Sequence, residues 1–303
     1  MAGSFSPTSV IFQVSNIGVK VLLLALFAGI AFGLLRRPFF RPRPQPSDAS
    51  VQRHSGGNMW LHWLNAAAFL LAIYTAAIFL RWIGNPLSLP TVYVLHYTAA
   101  AIMLFSIGAV AMNALTYGTT SRHRLIPTAA DLREFGAEFA GYLGLRGDQG
   151  FAGFFPSKRQ HPPVPSSGDK YLATERVMSY PIWVVVVAVV VVTGLIKALR
   201  YIYPIPHSWL SIVTPVHDIA GYVVIAMFVF HAGAVLLIRT NWPLLRSMFT
   251  GREDMTYAQE HNAEWLKQIE LGEPGEPVGK PAAGRPGPVT PSLGHHGPSD
   301  GEN

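Results

Sequence analysis

Four histidines stand where an ionisable ring is expensive: His62 in "MWLHWLN", His96 in "YVLHYTAAA", His217 in "TPVHDIAG" and His231 in "FVFHAGA". Each lies inside or at the end of an apolar stretch, and a titratable group at membrane depth costs several kcal/mol unless it is paired or put to use. His217 and His231 are 14 residues apart. At about 100° per residue this spacing closes to within roughly 40° of four full turns, so both rings share one helix face, roughly 21 Å apart along the axis. Rings so placed suit axial ligation of haem iron, a proton relay, a zinc path, or plain hydrogen bonds between helices. The chain has no cysteine, which excludes disulfides, thiolate zinc sites and cysteine-held iron–sulfur clusters within it. A redox centre here would therefore rest on histidine. Asp218 is the only carboxylate near the four rings, which leaves a proton relay short of acidic partners. One histidine per depth on each helix is too sparse for a zinc cage.

Such rings need long apolar elements to hold them. Of 303 residues 50% are hydrophobic and only 13% charged, about half the usual charged share of a soluble domain. Five stretches approach the ~20 residues that cross a hydrocarbon core: 17–35, 60–80, 92–115, 181–199 and 215–238. The net charge of +6 comes with no nucleic-acid recognition motif, so the basic residues are expected at membrane edges and no nucleic-acid partner is expected. Arg36, Arg37, Arg41, Arg43 and Arg53 precede the second span; Arg122 and Arg124 open the 116–176 loop; Arg239, Arg246 and Arg252 follow the last span. The opposite loops, 81–91 and 200–214, hold only Arg81 and Arg200. The positive-inside rule thus makes loops 36–59 and 116–176 and the C-terminus cytoplasmic.

Depth now pairs the rings. His62 begins a span that starts inside and His231 lies near the end of one that finishes inside; His96 and His217 each begin a span that starts outside. His62 pairs with His231 and His96 with His217, each on two different helices, as two bis-histidine haems stacked across a bilayer require. Small residues at 66–68, 98–101, Gly221 and 232–234 would leave room for a flat ring, and equally serve ordinary helix packing. Arg53 and Arg176 at one rim, or Arg81 and Arg200 at the other, suit propionates as well as topology; none is assigned.

The expected organisation is an all-α integral membrane protein: four transmembrane helices over 51–265 that place the four histidines for two bis-histidine haems, preceded at 1–50 by one extra transmembrane helix and a basic loop. The first apolar run also suits a signal peptide ending near "AFG", but cleavage would strand five arginines outside, so a retained helix is expected. Within the 116–176 loop, "TAADLREFGAEFAGYLGL" reads as an interfacial amphipathic helix capped by Thr128. Residues 240–270 read as short surface helices, and Pro215 and Pro181 as punctuation at span ends. The Pro/Gly-rich tail, 266–303, is expected to be disordered.

The segments "HW" at 62–63, "LHYTAAAIMLF" at 95–105, "DKYLATERVMSYPIWVVVVAVVVVTGLI" at 169–196 and "MFTGREDMTYAQEHNAEW" at 248–265, with the His217/His231 spacing, resemble the cytochrome b (gamma) subunits of respiratory formate dehydrogenases. The similarity covers about 55–270. It implies a four-helix bundle with two haem b groups, His62 and His231 ligating one and His96 and His217 the other. It also implies electrons received from an iron–sulfur subunit fed by a molybdopterin catalytic subunit and passed to menaquinone or ubiquinone in the bacterial inner membrane. Lys170, Tyr171, Glu175 and Arg176, with His231, are the implied quinone contacts. Leu172 and Thr174 depart from the small polar and glycine residues of that family's quinone segment. Cytochrome b anchors of thiosulfate or polysulfide reductases and of hydrogenases share the design. A non-redox helical transporter or anchor is the alternative from another class and predicts a colourless protein. No nucleophile triad, phosphate loop or metal cage appears, so substrate oxidation belongs to partners.

Overall fold

The structure, a computed structural model, describes residues 7–36, 47, 49–117, 127–142, 170, 171, 173 and 175–271. Five helices are long and apolar enough to cross a membrane: α1 (Pro7–Leu35), α2 (Gly56–Phe79), α3 (Leu89–Tyr117), α5 (Tyr180–Leu199, preceded by a π-helical turn, Glu175–Ser179) and α6 (His207–Leu237). They are the five expected spans. Their ends differ where local chemistry outweighs hydropathy. The N-cap hydroxyl of Ser55 accepts the Asn58 N–H at 3.2 Å and starts α2 at Gly56. Pro206 stops the preceding chain and α6 begins at His207, so Pro215 lies inside the helix rather than at its end. The stretch "HSWLSIVT" reads as loop by mean polarity, yet Trp209, Leu210, Ile212 and Val213 carry enough apolar surface to extend the helix.

Short connections fold α2 against α3 and α5 against α6 as two antiparallel hairpins. The N-terminal helix α1 runs parallel to α3: Gly29 and Gly33 sit so close to it that an added Cβ would lie 2.1 Å from the Phe105 carbonyl oxygen and 2.3 Å from that of Ala109. This is the small-residue spacing that lets membrane helices approach. Val19 and Leu22 of α1 join Ala101 and Leu104 of α3 and Ala198 of α5 in one buried cluster, so α1 bridges the two hairpins.

At the end of the bundle that gathers the basic residues, two short strands pair antiparallel, β1 (Ser50–Gln52) with β2 (Arg252–Asp254), Val51 opposite Glu253. Helix α7 (Trp242–Thr250) ends at Gly251, whose φ of 73° favours glycine and whose carbonyl accepts the Arg53 and His54 N–H groups at 2.8 and 3.1 Å. Asp254 caps α8 (Met255–His261) through the Thr256 and Tyr257 N–H groups. Val51, Ala258 and Trp265 form a small core beneath it.

The expected amphipathic helix is α4 (Ala129–Tyr142), with Thr128 and Asp131 bonded reciprocally at its start. Arg176 ties it to the foot of α5 through Asp131 and Glu134 at 2.9 and 3.0 Å. Residues 118–126, 143–169, Leu172 and Thr174 of the long loop lie outside the described residues. Helix α9 (Ala263–Leu271) carries regular structure six residues into the stretch expected as a disordered tail; the amphipathic run "AEWLKQIEL" buries Trp265 and so holds there. Residues 272–303 lie outside the description.

Candidate functional site

The two hairpins hardly touch through their backbones; what faces across the space between them is largely rings. Phe69 of α2 meets Trp183 of α5 and Phe228 of α6 at centroid distances of 5.5 and 6.4 Å, and Trp82, just beyond α2, stacks on Tyr222 of α6 at 5.2 Å. All four histidines lie along this interface.

His62 of α2 faces His231 of α6, their ring centres 6.5 Å apart and their planes 63° to one another. Two imidazoles bound to opposite sides of one metal ion, each through a nitrogen about 2 Å away, have centres a little over ~6 Å apart. The pair therefore fits a single iron held between α2 and α6. His96 of α3 and His217 of α6 are within electrostatic reach of each other toward the far end of the bundle. Thr75 Oγ1 of α2 lies 2.9 Å from His96 Nδ1, and Thr193 Oγ1 of α5 lies 3.0 Å from His217 Nδ1. Gly194 makes room for that second ring: a Cβ there would stand 3.0 Å from His217 Cε1. Each pair thus joins α6 to a different helix of the α2/α3 hairpin, as the depth argument requires. Among the described residues no three His, Cys, Asp or Glu side chains cluster as a metal cage would need.

Below His62 lies a buried charged rim. Arg53 donates to Glu253 Oε2 at 2.7 Å, both side chains being almost wholly buried. The same guanidinium reaches Asn262 and the Lys170 carbonyl and lies 6.0 and 5.7 Å from the Tyr171 and Trp265 ring centres. Lys170 Nζ sits over the same two rings at 5.7 and 5.6 Å. Burial opposes the Arg53 charge, but Glu253, Glu175 and Tyr171 outweigh it and hold its pKa above the ordinary value. Next to it His54 is pushed down to about 3, first by burial and then by the positive fields of Arg53, Lys170 and His62. Asp131 is held below the usual carboxylate range: burial pulls it up, but bonds from Thr128 and the Arg176 charge outweigh that.

Of the quinone contacts implied by resemblance, Lys170 and Tyr171 join Arg53 at the rim, and Glu175 lies within electrostatic reach of it. Arg176 is engaged by α4 instead. Sequence reasoning missed Thr75, Thr193, Gly194 and the Arg53–Glu253 pair. A lone threonine in "LAIYTAAIFL" and in "VVTGLI" was the only signal for these two positions, and nothing local marks a pair 200 residues apart.

Residues 53–251 match the family model described as prokaryotic cytochrome b561. No curated protein and no solved structure matches the chain.

Proposed function

The chain belongs to the prokaryotic cytochrome b561 family, and from that premise we propose that it is the two-haem, quinone-reactive membrane subunit of a respiratory dehydrogenase. Membership makes it a membrane electron-transfer cytochrome with b-type haem, which sets the non-redox transporter or anchor aside. The observation that carries the finer reading is the placement of two histidines, His217 and His231, 14 residues apart on one helix, α6, each facing a ring from the opposite hairpin. In this reading His62 and His231 supply the axial nitrogens of one haem, and His96 and His217 those of the second.

Bound haem iron supplies one-electron exchange, which the four rings and the apolar walls between the hairpins hold away from water. His217 and His231, roughly 21 Å apart along α6, would hold one such group toward each end of the bundle, and the two would supply electron transfer between the far end and the basic end. At the basic end, Lys170, Tyr171 and Glu175 beside Arg53 offer hydrogen-bonding groups for a quinone, menaquinone or ubiquinone, whose reduction takes two electrons and two protons; Arg176, held by α4, would shape the entrance. With that end cytoplasmic in a bacterial inner membrane, the protons come from inside. The resemblance at 169–196 and 248–265 favours formate dehydrogenase, with an iron–sulfur subunit and a molybdopterin subunit upstream, as the partner.

The test is a dithionite-reduced minus oxidised absorption spectrum of the purified protein with haem quantified, for wild type, His62→Ala and His96→Ala. Two b haems per chain, one lost in each variant, is the expected result. A single haem in the wild type, or both haems surviving either substitution, would overturn the pairing.

A further inference from the structure

Thr75 and Thr193 repeat one device on the two hairpins. Thr75 Oγ1 lies 3.0 and 2.9 Å from the carbonyl oxygens of Leu71 and Ala72 on its own helix, and 2.9 Å from His96 Nδ1 on the next. Thr193 Oγ1 lies 2.5 and 3.2 Å from the carbonyl oxygens of Val189 and Val190, and 3.0 Å from His217 Nδ1 on the next helix. A hydroxyl has one proton and two lone pairs. Where the helix carbonyls take the proton, the oxygen is left to accept, and the imidazole nitrogen must donate. For His217 a second contact fixes the same sense: Nδ1 is also 3.1 Å from the Val190 carbonyl, which can only accept. Both rings are thereby held as the Nδ1–H tautomer, with the lone pair on Nε2.

We propose that Thr75 and Thr193 are positioning residues that fix the tautomer and orientation of His96 and His217, leaving each Nε2 free to bind haem iron. This rests on the haem reading of the far-end pair. Back-bonding of a threonine to its own helix is common in membrane segments and by itself has no such consequence. What sets these two apart is that each completes its bonding on a histidine of the neighbouring helix, on both hairpins. Thr75 is fully buried and Thr193 nearly so, so no water competes. An acceptor on Nδ1–H makes the ring a more basic ligand, which favours ferric over ferrous iron and lowers the midpoint potential.

The experiment is spectroelectrochemical titration of both haems in the purified protein, for wild type, Thr75→Val, Thr75→Ser and Thr193→Val. Thr75→Val keeps the shape and removes the acceptor. It should raise the far-end haem's potential by the equivalent of a threefold to tenfold change in the ferric-to-ferrous binding ratio; tenfold is about 59 mV for one electron. Thr75→Ser should restore the wild-type value. Thr193→Val should shift it less, because the Val190 carbonyl remains, and the basic-end haem should stay put in every variant. Should Thr75→Val fail to assemble, Thr193→Val reads the same shift in the same direction. Two haems with unmoved potentials in both valine variants would overturn the proposal and leave the haem reading intact; a wild type without the far-end haem removes both.

Discussion

At the far end, His96 and His217 are fastened by hydroxyls of the helix beside them, inside one hairpin each. At the basic end, among the described residues, the ring nitrogens of His62 and His231 are bonded to no side chain; His62 is bracketed by Trp63 and the facing ring, above a charged rim. That rim is assembled from residues 53, 170, 253, 262 and 265, which come from three distant parts of the chain. One pair is held by contacts that form as soon as a helical hairpin forms; the other waits for the whole chain to close. The two ends should therefore fail separately and for different reasons.

Breaking the rim is the harshest way to expose the difference. Glu253→Ala leaves the Arg53 guanidinium buried without its partner, a loss of about 3–5 kcal/mol where a buried pair is cut on one side. Thermal unfolding of the purified cytochrome should show that loss, and the basic-end haem should be released before the far-end haem. Arg53→Met combined with Glu253→Met should recover much of the stability, since no lone charge remains. Simultaneous loss of both haems in Glu253→Ala would mean that the ends are one cooperative unit.

The converse variant acts at the far end. Gly194→Ala places a methyl 3.0 Å from His217 Cε1, so the ring or α5 must shift, at about 1–3 kcal/mol. Far-end haem occupancy should fall while the basic-end haem keeps its spectrum. Unchanged occupancy at both sites would show that the ring is not held against α5.

How much of this was legible in sequence follows the same division. The five spans, the four rings and the pairing of His62 with His231 came from hydropathy, spacing and charge placement, because a bilayer imposes length and depth on the chain directly. The Thr128 cap was legible because a helix start is a local event. The start of α6 at His207 was not, because amphipathic turns before Pro215 lower the mean hydropathy without ending the helix. The β1/β2 pair and the buried Arg53–Glu253 bond were invisible because three-residue strands carry no period and their partners lie 200 residues apart. Arg53 reads in sequence as a topology charge or a propionate partner; only the fold turns it inward onto Glu253.

Acid offers a milder probe of the rim. His54 stays neutral in the folded protein down to about 3, whereas an unfolded histidine takes up its proton near 6.5. Between those values the unfolded chain binds the extra proton, so stability is at its full value above pH 6.5 and falls as pH drops toward 3. The slope is at most about 1.4 kcal/mol per pH unit. Thermal midpoints measured from pH 7.5 to 5 should fall for the wild type and fall less for His54→Gln. Parallel curves for the two proteins would remove His54 from the account of the rim.

The smallest effect sharpens what stands in for hydrogen bonding beside His62. The Trp63 ring stacks on Phe249 at 4.4 Å, and its Nε1–H donates to the Met248 carbonyl at 2.9 Å, which fastens α2 to α7 one residue from the histidine. Trp63→Phe keeps most of the stack and removes the donor, a loss of about 1 kcal/mol. If the basic-end ring is oriented by this attachment rather than by a bond of its own, Trp63→Phe should broaden the ferric low-spin electron paramagnetic resonance signal of that haem and leave the far-end signal sharp. Equal broadening of both signals would mean that α7 steadies the whole bundle, and the contrast between a locally fastened pair and a remotely supported one would have to be given up.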